Sequence, residues 1–301
     1  NGATYVYMAI RRPNKPPEAG TDVFAIDVNT QSEPEYVSNF VVDWAFHRNV
    51  AYTDNFESYS RVTGFNKLEI NQLSAQSNNN AAKFDFMNGW GDNLANDTNY
   101  RSWMFKRAPG FLDIVCYNGN GSNRTINHNL GKVPEMIWVK KRESSGAWAV
   151  YHSDIGPTKY LQVQSPNAPT STVFSLGSDG YVNGGSSNKY IAYLFSSLPG
   201  ISKVGSYAGT GNNIDVDCGF TSGARFVLIK ATHDNSTEWF IWDSVRGIVA
   251  GNDPYLLFSS NAAQVTNTDY IDPLSTGFTV TSNAPGALNV SGGNYIFYAI
   301  A

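Results

Sequence analysis

The chain has 301 residues, of which 15% are charged and 14% are aromatic, and its formal net charge is −4. This aromatic content excludes a disordered chain, and the scarcity of basic clusters argues against nucleic acid or an anionic membrane surface as a partner. No apolar run approaches the ~20 residues of a membrane-spanning helix, so we expect no insertion into a membrane.

A tyrosine-led strand pattern occurs four times along the chain. It starts at Tyr5, Tyr100, Tyr190 and Tyr295, so subtraction gives spacings of 95, 90 and 105 residues. A period of this length predicts domain-sized units rather than a solenoid of short repeats. The predicted divisions are 1–19, the closing strand of an upstream repeat with a proline-rich linker; 20–108, a divergent first unit; 109–198, a second unit; and 199–301, a third unit.

The first unit departs most from the repeat. We align Phe40–Trp44 with the strand that begins at Met136 in the second unit. Phe65–Ile70 is predicted to be a later strand, and residues 84–90 are placed before the last strand. The remaining strands of this unit are not fixed by the pattern.

The second unit shows the strand pattern most clearly, with turns rich in Gly, Asn, Pro and Ser between short apolar runs. Its predicted strands are Leu112–Tyr117, Arg124–His128, Met136–Lys141, Trp148–His152, Tyr160–Gln164, Thr172–Leu176 and Tyr190–Phe195. Short strands with a turn every 8–12 residues are typical of a sandwich, and no helical periodicity is present over three turns. The sequence therefore predicts an all-β fold of tandem antiparallel β-sandwich repeats.

Matches between the second and third units extend inside the repeat. Trp148–Ser153 corresponds to Trp239–Ser244, and we align Asp179–Val182 with Thr276–Thr279. Because the order of the matches is kept along the chain, we expect the two units to have the same fold and to close separate cores.

Two aromatic pairs are the candidate binding residues. Trp148 and Tyr151, and likewise Trp239 and Trp242, are three residues apart on predicted strands and therefore point to opposite faces. One member of each pair should lie in a core, while the other is exposed or lies between units. Exposed rings beside Asn and Asp suit stacking on sugars, and burial between sheets or chains is the alternative.

Nothing in the sequence has the form of a catalytic or metal-binding motif. His128 falls where the third unit has Cys218, and His152 falls where it has Asp243, which argues for structural positions. We predict no catalytic residue, no metal, no cofactor and no enzymatic activity, and pairing of Cys116 with Cys218 stays open. The carboxylates considered for a glycosidase pair, which form no recognisable motif, are Asp85, Asp92, Asp215, Asp217 and Asp243.

Several segments resemble repeats of tail-fibre or tail-associated virion proteins of marine bacteriophages. They are Tyr5–Phe24, Phe105–Phe111, His128–Gly131 with the following Pro134, and Asp272–Phe278. The resemblance spans most of 1–20 and 100–301 and is weaker over 25–95. It implies a β-rich fold, a position on the exterior of the phage particle, and frequent trimers.

Three functions follow as hypotheses from different classes. The first is a phage virion structural protein, a tail fibre or related tail appendage, that acts in host attachment or appendage assembly. Its partners would be further copies of itself in a homotrimer, other tail or capsid proteins, and a host surface glycan or receptor bound through several weak contacts. The second is a secreted or cell-surface carbohydrate-binding module, and the third is a polysaccharide-degrading fibre enzyme.

Overall fold

The computed structural model describes residue 8 and residues 15–78, 80–93, 97–156, 167–234 and 236–301. The regular structure of the described residues is nearly all antiparallel β-sheet, with 40% of residues in strands and 6% in helices, which confirms the predicted all-β sandwich fold class. The predicted upstream strand at Tyr5 and the predicted strand Tyr160–Gln164 lie outside the described residues. The unit boundaries remain predictions, and we keep the names first, second and third unit for residues 20–108, 109–198 and 199–301.

The first unit consists of a six-stranded main sheet and a two-stranded outer sheet. Its strands are β1 (Phe24–Val28), β2 (Tyr36–Val37), β3 (Trp44–Asn49), β4 (Glu57–Ser60), β5 (Asn66–Glu69), β6 (Ser77–Asn78), β7 (Gly89–Trp90) and β8 (Tyr100–Phe105). The main sheet has the order β1-β8-β3-β4-β5-β6, and β2 pairs with β7. Short 3-10 turns occupy Gly20–Asp22 and Arg61–Thr63.

The second unit repeats this plan with a four-stranded main sheet. Its elements are β9 (Leu112–Asn118), β10 (Arg124–Asn127), β11 (Met136–Lys141), β12 (Ala149–His152), a 3-10 turn (Ser153–Ile155), β13 (Val173–Leu176), α1 (Gly180–Asn183) and β14 (Lys189–Phe195). The main sheet has the order β9-β14-β11-β12, and β10 pairs with β13 in the outer sheet.

The third unit has a five-stranded main sheet and a three-stranded outer sheet. Its elements are β15 (Ser202–Ala208), β16 (Ile214–Asp217), β17 (Phe226–Ala231), β18 (Trp239–Asp243), β19 (Leu256–Leu257), β20 (Ile271–Leu274), β21 (Gly277–Val280), α2 (Gly286–Asn289) and β22 (Asn294–Ile300). The orders are β15-β22-β17-β18-β19 and β16-β21-β20.

The register of the main sheets shows that the central strands of the three units are equivalent residue by residue. Trp44, Met136 and Phe226 each begin the strand that pairs with the last strand of their unit, opposite Phe105, Phe195 and Ile300 respectively. Alternate residues of β3, β11 and β17 therefore point to corresponding sides in each unit.

Each main sheet is covered on both faces. Successive residues of a strand such as β11, with the sequence MIWVKK, are therefore buried instead of alternating between buried and exposed. One face packs on the outer sheet of the same unit and forms that unit's own core. The other face enters a cluster to which all three units contribute. Its large members include Trp44, Phe46, Trp103, Phe105, Trp138, Tyr193, Phe195, Phe226, Leu228, Phe258 and Tyr298.

Each unit closes a core of its own, as expected, but the shared core shows that the units are not independent sandwiches. At roughly 25 cal/mol per Å² of buried apolar surface, uncovering a sheet face rich in Trp and Phe would be costly. The units therefore depend on one another for a large part of their apolar burial. The sequence repeat could not reveal this, because residues facing a neighbouring unit and residues facing the unit's own core are equally apolar.

The first turn described lies against the end of the chain. A Cβ atom at Gly20 would lie 2.1 Å from the backbone oxygen of Ala301, so this approach requires glycine. Arg225 Nη1 in the third unit donates to the backbone oxygen of Phe24, at 3.4 Å. The first and third units are thus in direct contact although they are far apart in sequence.

Two of the sequence alignments were wrong. In the first unit the strand equivalent to Met136–Lys141 begins at Trp44, not Phe40, because residues 40–43 form an approach to the strand. Residues 180–182 lie in helix α1, which corresponds to α2, whereas 277–279 lie in β21. A single helical turn after Asp179 is too short to produce a helical periodicity in the sequence.

Candidate functional site

The aromatic candidates divide between two environments, as their spacing predicted. Trp148 and Trp239 pack against the shared core and are only partly buried. Tyr151 and Trp242 point the other way, into the cores of the second and third units. Trp242 is fully buried, and its Nε1 donates to Asp253 Oδ2 at 2.8 Å. Tyr151 and Trp242 are therefore core residues, and Trp148 and Trp239 keep an accessible part.

Trp148 and Trp239 line the same cleft, which lies where the three units meet. The cleft has a volume of about 670 Å³, within the range of pockets that hold small molecules. Residues of all three units form its wall: Ile70, Asn71, Gln72 and Leu73 from the first, Trp138, Ala147, Trp148 and Val150 from the second, and Lys230, Ser236, Thr237, Glu238, Trp239, Phe258 and Ser259 from the third.

The floor of the cleft is aromatic. The ring of Trp138 lies 5.6 Å from that of Phe258 and 6.5 Å from that of Trp239, measured between centroids. Trp138 is buried, and its indole N–H has no hydrogen-bond acceptor among the described residues. An unsatisfied buried donor costs about 1–3 kcal/mol, so a ligand or water that supplied an acceptor would stabilise this position.

Hydrogen bonds hold the two accessible indoles in place. Trp148 Nε1 donates to the backbone oxygen of Glu69 in the first unit, at 3.1 Å. The backbone nitrogen of Trp239 donates to Ser259 Oγ at 3.1 Å, and Ser259 Oγ in turn contacts Glu238. These bonds use the edge of Trp148 and the backbone of Trp239 rather than the ring faces, and Lys140 Nζ lies over one face of the Trp148 ring, 5.8 Å from its centroid.

A buried cation stands at the equivalent position of each main sheet, next to the cleft. The three residues, Arg48, Lys140 and Lys230, are at most 4% exposed. Lys140 Nζ donates to the backbone oxygens of Gln72 in the first unit, at 3.0 Å, and Gly146, at 2.6 Å. Burial lowers the pKa of Lys140 to about 8.

Arg48 makes the corresponding link from the first unit to the third. Its guanidinium donates to the backbone oxygens of residues 260, 261 and 262 at 2.9–3.4 Å. Lys230 Nζ instead donates within its own unit, to the side-chain oxygen of Thr237 at 2.8 Å and to the backbone oxygen of that residue. Lys140 and Lys230 thus hold residues of the cleft wall, and Arg48 holds residues 260–262, which directly follow Ser259 of that wall.

The other residues weighed from the sequence lie elsewhere. His128 and His152 are buried in the second unit, and each ring accepts a local backbone N–H. Cys116 is exposed and Cys218 is buried, and both thiols are free. The two free thiols answer the open question of pairing.

Of the five carboxylates considered for a glycosidase pair, Asp215 and Asp217 are neighbours on one face of β16, and the other three lie in different surroundings. Asp243 is buried in an ion pair with Arg246 Nε at 2.5 Å, and it also accepts from Trp103 Nε1 at 3.2 Å. Asp215 and Asp217 are exposed on β16, and Asp85 is exposed in the first unit. Asp92 is fully buried beside His47 and Glu57, a cluster that sequence reasoning missed.

The comparisons with known proteins identify the family. A family model described as a domain of unknown function, DUF7483, matches residues 29–301. The chain therefore belongs to this family. No curated protein matches the chain. Among the described residues, no helix is long and apolar enough to cross a membrane.

Proposed function

We propose that this DUF7483 chain is a glycan-binding structural domain of a phage virion, positioned on the exterior of the tail and acting in host attachment. The observation that carries the binding part is the cleft at the junction of the three units. Two partly accessible indoles, Trp148 and Trp239, stand in its wall among amides and hydroxyls. The virion setting rests on the sequence resemblance.

The chemistry of the cleft matches that of a sugar ring. The apolar face of a pyranose stacks on an indole, while its hydroxyl groups need donors and acceptors at the rim. Asn71, Gln72, Ser236 and Thr237 provide them in the cleft wall. A single cleft of this kind binds weakly, so useful avidity requires several copies. We therefore propose a homotrimer, with other tail or capsid proteins as further partners.

The binding role is preferred over the enzymatic one because of the composition of the cleft wall. A glycosidase that uses the common mechanism needs two carboxylates about 5–10 Å apart. Glu238 is the carboxylate among the residues that line the cleft. A secreted carbohydrate-binding module would use the same cleft in another setting, and copurification with phage particles distinguishes the two.

The test is binding of the purified chain to an array of bacterial surface glycans, followed by titration of any ligand against tryptophan fluorescence. Trp239→Ala should weaken binding about tenfold, corresponding to ~1.4 kcal/mol for one lost stacking contact. Ser236→Tyr, at an exposed position of the cleft wall, should block binding without touching the core. Tyr52→Ala removes an aromatic ring that is 64% exposed outside the cleft and serves as the matched control.

The result that would overturn the proposal is equal affinity of wild type, Trp239→Ala and Ser236→Tyr for every glycan that binds. Chromatography of the glycan after incubation adds a second arm. Shortened chains would show that the polysaccharide-degrading hypothesis is the correct one.

A further inference from the structure

A buried polar cluster lies in the core of the first unit, away from the cleft. His47 on β3 and Glu57 on β4 are direct cross-strand partners, and Asp92 follows β7. His47 is 1% exposed and Asp92 is fully buried. One ligand atom from each of the three residues lies within 4.8 Å of the others.

The equivalent positions in the other two units are apolar. The cross-strand pair His47–Glu57 corresponds to Val139–Ala149 in the second unit and to Ile229–Phe240 in the third. Burying polar groups where the same fold accepts two hydrocarbons costs free energy unless they gain strong partners. The first unit therefore contains a feature that its fold does not require.

The surrounding residues orient His47 and Glu57 toward each other. Tyr36 Oη lies 3.1 Å from His47 Nδ1, which fixes the ring and leaves Nε2 facing the carboxylates. Tyr59 Oη donates to Glu57 Oε2 at 2.8 Å, and Lys67 contacts the other oxygen of Glu57. Such outer partners are what orient the ligands of metal sites.

The spacing of the three groups is close to that of the ligands around one metal ion. His47 Nε2 lies 3.1 Å from Asp92 Oδ2 and 3.6 Å from Glu57 Oε2, but neither of these contacts has the geometry of a hydrogen bond. Ligands at ~2.1 Å from a tetrahedral Zn²⁺ are about 3.4 Å apart.

We propose that His47 Nε2, Glu57 and Asp92 bind a divalent transition-metal ion, with Zn²⁺ the best match to one imidazole and two carboxylates. An imidazole disfavours Ca²⁺ and Mg²⁺, which take oxygen ligands. The ion would stabilise the first unit by replacing the apolar contacts of the other two. Because the site is buried, the ion enters as the chain folds.

The experiment measures metal content and stability of the whole chain. The protein is unfolded in chelator, refolded with Zn²⁺ or without metal, desalted and assayed by inductively coupled plasma mass spectrometry and thermal unfolding. Wild type should retain about one Zn²⁺ per chain and unfold several degrees higher than the metal-free form, in keeping with ligand linkage. Co²⁺ in place of Zn²⁺ should give the visible absorption of a tetrahedral site.

Matched variants keep the test decisive. Asp92→Asn and His47→Gln should lose the metal and the stabilisation, whereas His128→Gln, which removes a buried histidine outside the cluster, should retain both. The double variant His47→Val with Glu57→Ala installs the pair found in the second unit, so it should fold without metal. The proposal would be overturned if wild type retained no more Zn²⁺ than this double variant and melted at no higher temperature. The three residues would then be held together by a proton shared between His47 and the carboxylates.

Discussion

Replacing Trp44 by Ala tests whether the three units share one core. Trp44 begins β3 and is fully buried. Its ring lies 4.6 Å from that of Tyr193 and 6.0 Å from that of Phe195, both in the second unit. Its Nε1 donates to Ser58 Oγ at 2.9 Å. The substitution therefore removes contacts on both sides of a boundary between units.

The expected loss follows from these contacts. Truncation of a buried Trp to Ala costs about 3–5 kcal/mol, and the abandoned hydroxyl of Ser58 adds about 1 kcal/mol. If the shared core opens as one cooperative body, strands of the third unit lose the same protection as strands of the first. A loss of ~4 kcal/mol accelerates exchange through global opening by roughly a thousandfold.

Trp90→Ala is the matched control. Trp90 is also fully buried, and its Nε1 donates to Ser102 Oγ at 2.8 Å, but it lies in the first unit's own core. Its ring contacts are with Tyr36, Tyr59 and Phe84 of the same unit, together with His47. Truncation of Trp90 should lower the hydrogen-exchange protection of the outer sheet of the first unit, because that sheet can then open locally. The protection of β17 and β22 in the third unit should be less affected.

The assay is native-state hydrogen exchange read by mass spectrometry on peptides from all three units. In Trp44→Ala, we expect faster exchange in β11, β14, β17 and β22 as well as in β3. Unchanged protection of the third unit in that variant would refute the shared core and favour independently stable sandwiches.

Three further predictions concern single residues. Burial raises the pKa of Asp253 to about 6 despite its hydrogen bonds, so the native state holds this proton more tightly than the unfolded chain. The unfolding free energy of wild type relative to Asp253→Asn should therefore fall by ~3 kcal/mol as pH rises from about 4 to above 6, measured by urea denaturation. Arg48→Met leaves the backbone oxygens of residues 260–262 without their donor and should cost about 3 kcal/mol in the same assay; an unchanged midpoint would contradict the proposed link. Cys116 should react with a thiol reagent in the native state, whereas Cys218, whose pKa burial raises to about 12, should react only after unfolding.

The sequence predicted the strands best where both faces are buried and the turns are marked. Met136–Lys141 is observed with the predicted bounds, and most other described strands of the second unit differ by one residue at an end. The opposite orientations of Trp148 and Tyr151 followed from the two-residue period of a strand. The alternation of residues along a strand could not specify which apolar face meets a neighbouring unit. The hydrophobic effect depends on the apolar area removed from water and not on which surface covers it.

For the same reason, the sequence predicted residues of the cleft but not the cleft itself. Trp148 and Trp239 were candidates by their place in the repeat, but their convergence on one cleft depends on the packing of three units. The His47 cluster was missed because the first unit was aligned four residues too early. When the alignment starts at Trp44 instead of Phe40, His47 is equivalent to Val139 and Ile229. A histidine at a position that is apolar in the other two units is a detectable signal.

A crystal structure of the chain with a bound oligosaccharide, chosen from the array, tests the central claim most directly. The account predicts a sugar ring stacked on Trp148 or Trp239, with its hydroxyl groups on side chains from at least two units. A sugar bound in one unit alone, far from the junction, would contradict it.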